Sequence, residues 1–226
     1  MARTPHATQS RSEVTRAALI QAATEAFARA GFDAVSTRDI AAAAEVHPAL
    51  IGYHFGGKEG LYLAVFEHIA ATVEQRIGPA LDQIEQMLAS RGGKNDAAAR
   101  ATASLAKLCD AMVAMLADPG SGPWAALIMR EQQAPTAAFD LVYERFMRRV
   151  LATMTQLVRA ADPTRDAPEA RLTVVALLGQ MVVFRVARAG VMRHLAWRSV
   201  GPEEQAQMQA MIRRHLAAIL GQPSAA

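Results

Sequence analysis

Residues 36–58 read STRDIAAAAEVHPALIGYHFGGK, and the punctuation of this stretch admits little besides two short helices joined by a tight turn. Ser36 followed by Asp39 has the form of a capping box, in which hydroxyl and carboxylate each satisfy a backbone N–H that a starting helix leaves unpaired. A helix therefore begins near Thr37 and runs through Ile40 and the alanines after it, whose small side chains allow close packing. Glu45 and Val46 form the turn. Pro48 suits the first position of the next helix, where a missing N–H and a fixed φ are harmless. That helix ends near Phe55, ahead of Gly56 and Gly57. The spacing predicts Leu50, Ile51 and Phe55 as inward anchors, and Gly52 costs about 1 kcal/mol relative to alanine, so packing has to hold the helix. Two helices joined in this way form a helix-turn-helix, whose second helix can enter a DNA major groove.

The remaining apolar residues recur at spacings of three and four, the signature of amphipathic helices. Leu19, Ile20, Ala23, Phe27 and Ala30 place a helix over residues 12–30, stopped by Gly31. Leu61, Val65, Ile69, Val73 and Ile77 place another from residue 57 or 58 onward, with Gly78 and Pro79 expected to kink or break it before the pattern resumes to residue 89. A loop at 91–96, a helix over about 95–117 and a second loop at 118–123 follow, with Pro123 opening a short helix through Gln132. Pro135 and Thr136 precede a long helix carrying Phe139, Val142, Phe146, Val150, Met154 and Leu157. After a break at 162–168, the last two helices span about 169–190, extending toward 197, and 202–220. No segment alternates with the period of a strand. The chain reads as all-α.

Composition limits the function classes. The chain has 226 residues, of which 52% are hydrophobic, enough for a sizeable core, and a formal net charge of only +3. Within residues 1–60, Arg3, Arg11, Arg16, Arg29, Arg38 and Lys58 are balanced by Glu13, Glu25, Asp33, Asp39, Glu45 and Glu59. Contact with a polyanion would therefore rest on where individual donors point. The single Cys109 excludes an internal disulfide framework and a cysteine-rich zinc site, fits a reducing cytoplasm, and reads as a small buried hydrophobe. Residues 1–12 lack the apolar stretch of a secretory signal and read as a mobile polar arm. Residues 172–184 are very apolar but fall short of the ~20 residues needed to cross a bilayer, so they are expected to be buried in protein. No catalytic signature, metal-ligand cluster or cofactor motif is present. Residues 52–58 fit phosphate-loop spacing only formally, because Glu59 stands where a magnesium-binding hydroxyl is needed.

TRDIAAAAEVHPALIGYHFGGKEGLY at residues 37–62 resembles the N-terminal domain of TetR-family transcriptional regulators. LIMREQQAPTAAFD at 127–140 and RHLAW at 193–197 are similar to the CecR-like branch of that family. The resemblance implies a mobile arm at 1–12, a three-helix DNA-binding domain with its helix-turn-helix at 13–60, and a helical ligand-binding and dimerisation domain at 61–226. It implies a cytoplasmic homodimer that binds a double-stranded DNA operator and releases it when a small-molecule effector binds the C-terminal domain, with no enzymatic activity. A helical adaptor or an enzyme of unknown type, neither binding DNA, is the alternative. Glu45 stands where the family often has a turn glycine, and Gly52 where it often has tyrosine. Both departures bear on the turn and on a backbone contact.

Helix N-termini attract phosphate through unpaired N–H groups, so Lys58, Thr37 and Arg38 at two helix starts are candidate backbone contacts. Tyr53 and His54 can donate to phosphate oxygens, setting register without reading sequence. His47, Pro48, Ala49 and Leu50 lead the recognition helix toward base edges; only His47 can hydrogen-bond, and the others offer apolar contact, as to a thymine methyl. In the C-terminal part, Trp124, Met129, Phe139, Tyr143, Phe146, Met147 and Phe184 could line an adaptable pocket. Arg130 and Glu131 could anchor a polar group or form a structural ion pair, with Gln180 and Arg185 as weaker anchors. Residues 172–184 and the final helix, with Met208, Met211, Ile212, Leu216 and Ile219, are the expected dimer surfaces.

Overall fold

The computed structural model describes residues 11–90 and 97–221. Most of the expected N-terminal arm, the loop at 91–96 and the expected start of a helix near Asn95 lie outside the described residues. All regular elements described are helical. The chain divides into two compact units, residues to 69 together with 126–141, and residues 70–125 together with 142 onward.

The first unit begins with α1 (Arg11–Ala30), α2 (Thr37–Ala43) and α3 (Ala49–Phe55), and takes in the first three turns of α4 (Lys58–Ala89). α1 buries Leu19, Ile20, Ala23 and Phe27 and closes on Gly31, whose φ of 84° only glycine adopts freely. Ile40 from α2, Ile51 from α3 and Leu61, Val65 and Phe66 from α4 complete an apolar centre. Phe27, Phe32, Tyr62 and Phe66 form a chain of ring contacts with centroids 5.0–5.8 Å apart. Of the expected anchors of α3 only Ile51 is fully buried; Leu50 and Phe55 are half-exposed, because a helix of two turns has room for one inward residue at the centre.

Residues 126–141 belong to this unit through one buried carboxylate. Glu131 on α6 (Gly122–Gln133) is 3% exposed and accepts hydrogen bonds from the Tyr62 hydroxyl at 2.8 Å and from the Thr136 N–H and hydroxyl at 2.9 and 2.8 Å. The alternative of an Arg130–Glu131 ion pair is not realised, since Glu131 has three donors already and Arg130 instead lies against Gly31.

In the second unit, α5 (Ala97–Ala117), α8 (Arg148–Ala161), α9 (Ala167–Val186) and α11 (Pro202–Ile219) surround a core that includes Leu105, Leu108, Met154, Leu157, Leu177 and Ile212. Cys109 is within it, and burial, with Asp110 beside it, pushes its thiol up to about 12, so it carries no nucleophilic chemistry. Polar cross-links join the helices: Arg149 to Asp82 and Glu85, Arg213 to Asp110, and Arg165 to Asp162, Thr173 and the Ile219 carbonyl.

Several boundaries differ from expectation. α4 runs through Gly78 and Pro79 without a break, since Ile77, Leu81 and Ile84 continue one buried stripe across the proline. The expected loop at 118–123 is a 3₁₀ turn (Pro119–Ser121) running into α6 at Gly122, with the Asp118 carboxylate accepting from the Gly120 N–H. The long helix after Thr136 holds a π-helical segment, Tyr143–Met147, between α7 (Ala137–Val142) and α8. The helix expected to reach 190 or beyond ends at Val186, and α10 (Arg188–His194) is separate. α9 is also not wholly buried. Ala170, Val174, Leu177 and Met181 face the core, whereas Leu172, Val175, Val183 and Val186 form an exposed stripe, the first two 70% and 61% accessible. By length and composition alone α9 could cross a membrane, contrary to the expected shortfall, but a helix that gives one face to a protein core passes the same test.

Candidate nucleic-acid interface

The turn between α2 and α3 fixes how α3 is presented. Ser36 caps α2 by accepting from the Asp39 N–H at 3.1 Å, and the Asp39 carboxylate accepts in return from the Ser36 N–H at 3.2 Å; the Ser36 hydroxyl, donating to that carboxylate at 2.6 Å, and then the Ser36 N–H hold the Asp39 pKa below its ordinary value. At the other end the Glu45 N–H bonds the Ala42 carbonyl at 3.1 Å and the Val46 N–H bonds the Ala41 carbonyl at 2.9 Å, the two bonds of a Schellman motif. Its left-handed position is Glu45, with φ 55°. The departure from the family's turn glycine thus keeps the glycine geometry and accepts the strain.

Pro48 has helical dihedrals but occupies the cap position, one residue before the first helical position expected for it, because His47 supplies the local turn. The Ala49 N–H donates to His47 Nδ1 at 3.2 Å. With Nδ1 accepting, the ring proton sits on Nε2, which leaves one outward donor for an acceptor on a base edge. His47, Pro48 and Ala49 are exposed, as is Tyr53 at 80%. Leu50 and His54 are half-exposed, and the Tyr53 and His54 rings meet edge to face at 4.9 Å. Gly52 is exposed with nothing within 4 Å of the place a Cβ would take, so its backbone lies bare on the same face.

Gly56 and Gly57, with φ of 75° and 139°, turn the chain into α4. A Cβ on Gly60 would lie 1.8 Å from the Phe55 carbonyl oxygen, so the end of α3 and the start of α4 touch backbone to backbone. Lys58 opens α4 with its ammonium 4.4 Å from the Phe32 ring centre, and Arg16 of α1 lies 5.3 Å from the Phe55 ring. Phe32, Arg16 and Gly60 were not singled out in the sequence. Only the Gly-Lys-Glu-Gly run pointed to Gly60; the two cation–ring contacts join residues too far apart in the chain for spacing to reveal. Arg38 is exposed and Thr37 half-exposed at the start of α2.

The candidate effector residues are divided between the two units. Met129, Arg130, Glu131 and Phe139 are in the first unit, where Arg130 and Glu131 line an open cavity of about 510 Å³ with Phe32, Tyr62 and Thr136. Trp124, Tyr143, Gln180 and Phe184 are in the second. Trp124 and Phe184 pack against its core, Gln180 bonds His215 Nδ1 at 2.9 Å, and Tyr143 is largely exposed.

Residues 19–65 match the family described as bacterial regulatory proteins, tetR family, and residues 101–222, more than half of the chain, match the C-terminal domain of the HTH-type transcriptional dual regulator CecR. The chain belongs to the TetR family, in its CecR-like branch. The HTH-type transcriptional dual regulator CecR of Shigella flexneri is 31% identical over 93% of each chain. An HTH-type transcriptional repressor of Mycobacterium tuberculosis is 42% identical over 83 residues, 35% of this chain and 44% of that protein. The crystal structure of AibR in complex with isovaleryl coenzyme A and operator DNA shares the TetR fold, with a TM-score of 0.64 and 12% identity over 89% of this chain and 97% of that one. As a TetR-family member the chain is a DNA-binding transcriptional regulator and not an enzyme.

Proposed function

We propose that this regulator is a cytoplasmic homodimer that represses by holding a two-fold operator and lets it go when a small molecule binds its C-terminal part. In this reading residues 13–60 form the reading head and residues 61–226 serve ligand binding and dimerisation. The observation that carries the proposal is the presentation of α3, whose Schellman turn and double-glycine exit leave one face of His47, Pro48, Ala49, Leu50, Tyr53 and His54 outward. Thr37, Arg38, Tyr53, His54 and Lys58 grip phosphates, and His47 to Leu50 contact bases. With one side-chain donor among those four, DNA shape contributes to selectivity.

The exposed apolar stripe of α9 supports dimerisation, because a row of Leu172, Val175, Val183 and Val186 left in water forfeits burial worth about 25 cal/mol per Å². A two-fold protein also meets half-sites one helical turn apart, ~34–36 Å. The effector acts by favouring an arrangement of the C-terminal part that alters the position of α4, so by linkage it binds less tightly to the operator complex. The Shigella relative is described as a dual regulator and the mycobacterial one as a repressor; repression is the mode adopted for this chain. The test is to select genomic fragments with purified protein and screen small molecules for release. A specific, salt-sensitive complex whose partner ligand binds free protein more tightly than complex supports the reading, and equal ligand affinity with and without operator removes the coupling.

A further inference from the structure

Lys58 opens α4, where the helix dipole disfavours a cation, and among the described residues it enters no ion pair. The contact that orients it is a ring, with the ammonium 4.4 Å from the Phe32 centroid. A cation over an aromatic face is attracted by the ring quadrupole, which gives a flexible lysine stem a preferred direction. An ammonium resting on such a face still has N–H donors on its other side for a phosphate oxygen.

Phe32 is itself held by other elements. It follows Gly31, whose φ of 84° ends α1 and turns the chain so that the Phe32 ring meets Phe27 at 5.8 Å and Tyr62 at 5.0 Å. Two consecutive residues of α6 brace this arrangement. Arg130 Nη1 lies 3.1 Å from where a Cβ on Gly31 would be, so the guanidinium sits at the electronegative end of α1, beside the residue that precedes Phe32. Glu131 accepts from the Tyr62 hydroxyl at 2.8 Å through Oε1, while its Oε2 is held by the Thr136 N–H and hydroxyl. Tyr62 is thereby tied to a carboxylate fixed at its other oxygen, and its ring packs edge to face against Phe32. Phe32, Tyr62, Arg130 and Glu131 border one open cavity, so the four groups form a single assembly near the start of α4.

We propose that Phe32 is a positioning residue for the phosphate contact of Lys58, and that Arg130 and Glu131 of α6 act on the same contact through Gly31 and Tyr62. The ring orders the lysine stem before the duplex arrives, so less side-chain freedom is lost on binding. The inference rests on the reading of Lys58 as a phosphate contact. It adds that the strength of this contact is set from α6, an element outside the helix-turn-helix.

The experiment is a set of double-mutant cycles on the full chain, read as affinity for a selected operator fragment across a salt series, each variant first shown by circular dichroism to be folded. Lys58→Ala alone tests the phosphate contact. Phe32→Leu keeps apolar bulk and removes the ring face. With Lys58 present it is expected to weaken binding about two- to fivefold per protomer, the range of an exposed cation–π contact, and in the Lys58→Ala background to change nothing. Phe32→Tyr, which keeps the face, is expected to bind as wild type does. Arg130→Ala, Tyr62→Phe and Glu131→Gln should each weaken binding in the wild-type background and have no effect in the Lys58→Ala background; Arg130→Ala and Tyr62→Phe decide the matter if Glu131→Gln does not fold. An equal cost of Phe32→Leu in both backgrounds would overturn the positioning role and leave the phosphate contact standing, because a residue that only holds the head together acts whether or not Lys58 is there. Wild-type affinity in all the folded variants at positions 62, 130 and 131 would overturn the part assigned to α6. Unaltered affinity and salt slope in Lys58→Ala would remove the phosphate contact itself, and the positioning role with it.

Discussion

Replacing Glu45 by glycine should stabilise the head that carries the recognition helix. Glu45 sits at φ 55° as the left-handed residue of the α2 Schellman motif. Holding an L-residue there costs about 1–2 kcal/mol, and glycine returns about 0.5–1 kcal/mol of that through greater freedom in the unfolded chain. The net gain is about 0.5–1 kcal/mol. Hydrogen exchange of peptides covering α2 and α3 should accordingly slow about two- to fivefold. Removing a carboxylate beyond the C-terminus of α2 would also be favourable through the helix dipole, so Glu45→Ala and Glu45→Asn are the controls. Asparagine tolerates the left-handed region and should recover part of the gain. Alanine, which removes the charge and keeps the strain, should recover little. If alanine equals glycine, or glycine equals wild type, the backbone account is wrong.

Three other substitutions probe the same architecture. Gly60→Ala drives a methyl into the Phe55 carbonyl, so it should cost about 1–3 kcal/mol or more and abolish specific DNA binding, read by urea unfolding and gel shift. Tyr62→Phe removes one of three donors to buried Glu131 and should cost about 1–3 kcal/mol. Burial, then the Glu131 hydrogen bond and charge, raise the Tyr62 pKa above its ordinary 10.0, so this contribution is intact below pH 10.0 and is lost as pH rises beyond it. An unfolding profile of Tyr62→Phe with the same alkaline fall as wild type would contradict that. Val183→Asp puts a charge on the exposed stripe of α9 and should yield a folded monomer in sedimentation equilibrium; an unaltered dimer would exclude that face.

What could be read from sequence alone was local. The Ser36–Asp39 box, the paired glycines and the stripe of α1 involve residues within a turn or two of one another, so their chemistry is written in adjacent letters. Pro79 misled because packing of Ile77, Leu81 and Ile84 holds α4 together where local propensity would end it. The two-faced nature of α9 was hidden because its outward face is as apolar as its inward one. Lys58 over Phe32, and Glu131 receiving Tyr62, depend on residues brought together by the fold. The aromatic and methionine residues chosen as effector contacts were ambiguous for a simpler reason: at helical spacing such side chains serve a core as well as a pocket, and Trp124 and Phe184 do pack on the core.

Binding of a duplex by this head has to rest on a few placed donors, since the formal charge over residues 1–60 cancels. The most direct measurement is the salt dependence of binding to a selected operator fragment by wild type and Lys58→Ala. The Lys58 ammonium lies over the Phe32 ring, 4.4 Å from its centre, at the start of α4. Its loss should weaken binding about uniformly across sequences and reduce the slope of log affinity against log salt by about one per protomer. An unchanged slope and affinity would contradict the phosphate grip assigned to this end of the head.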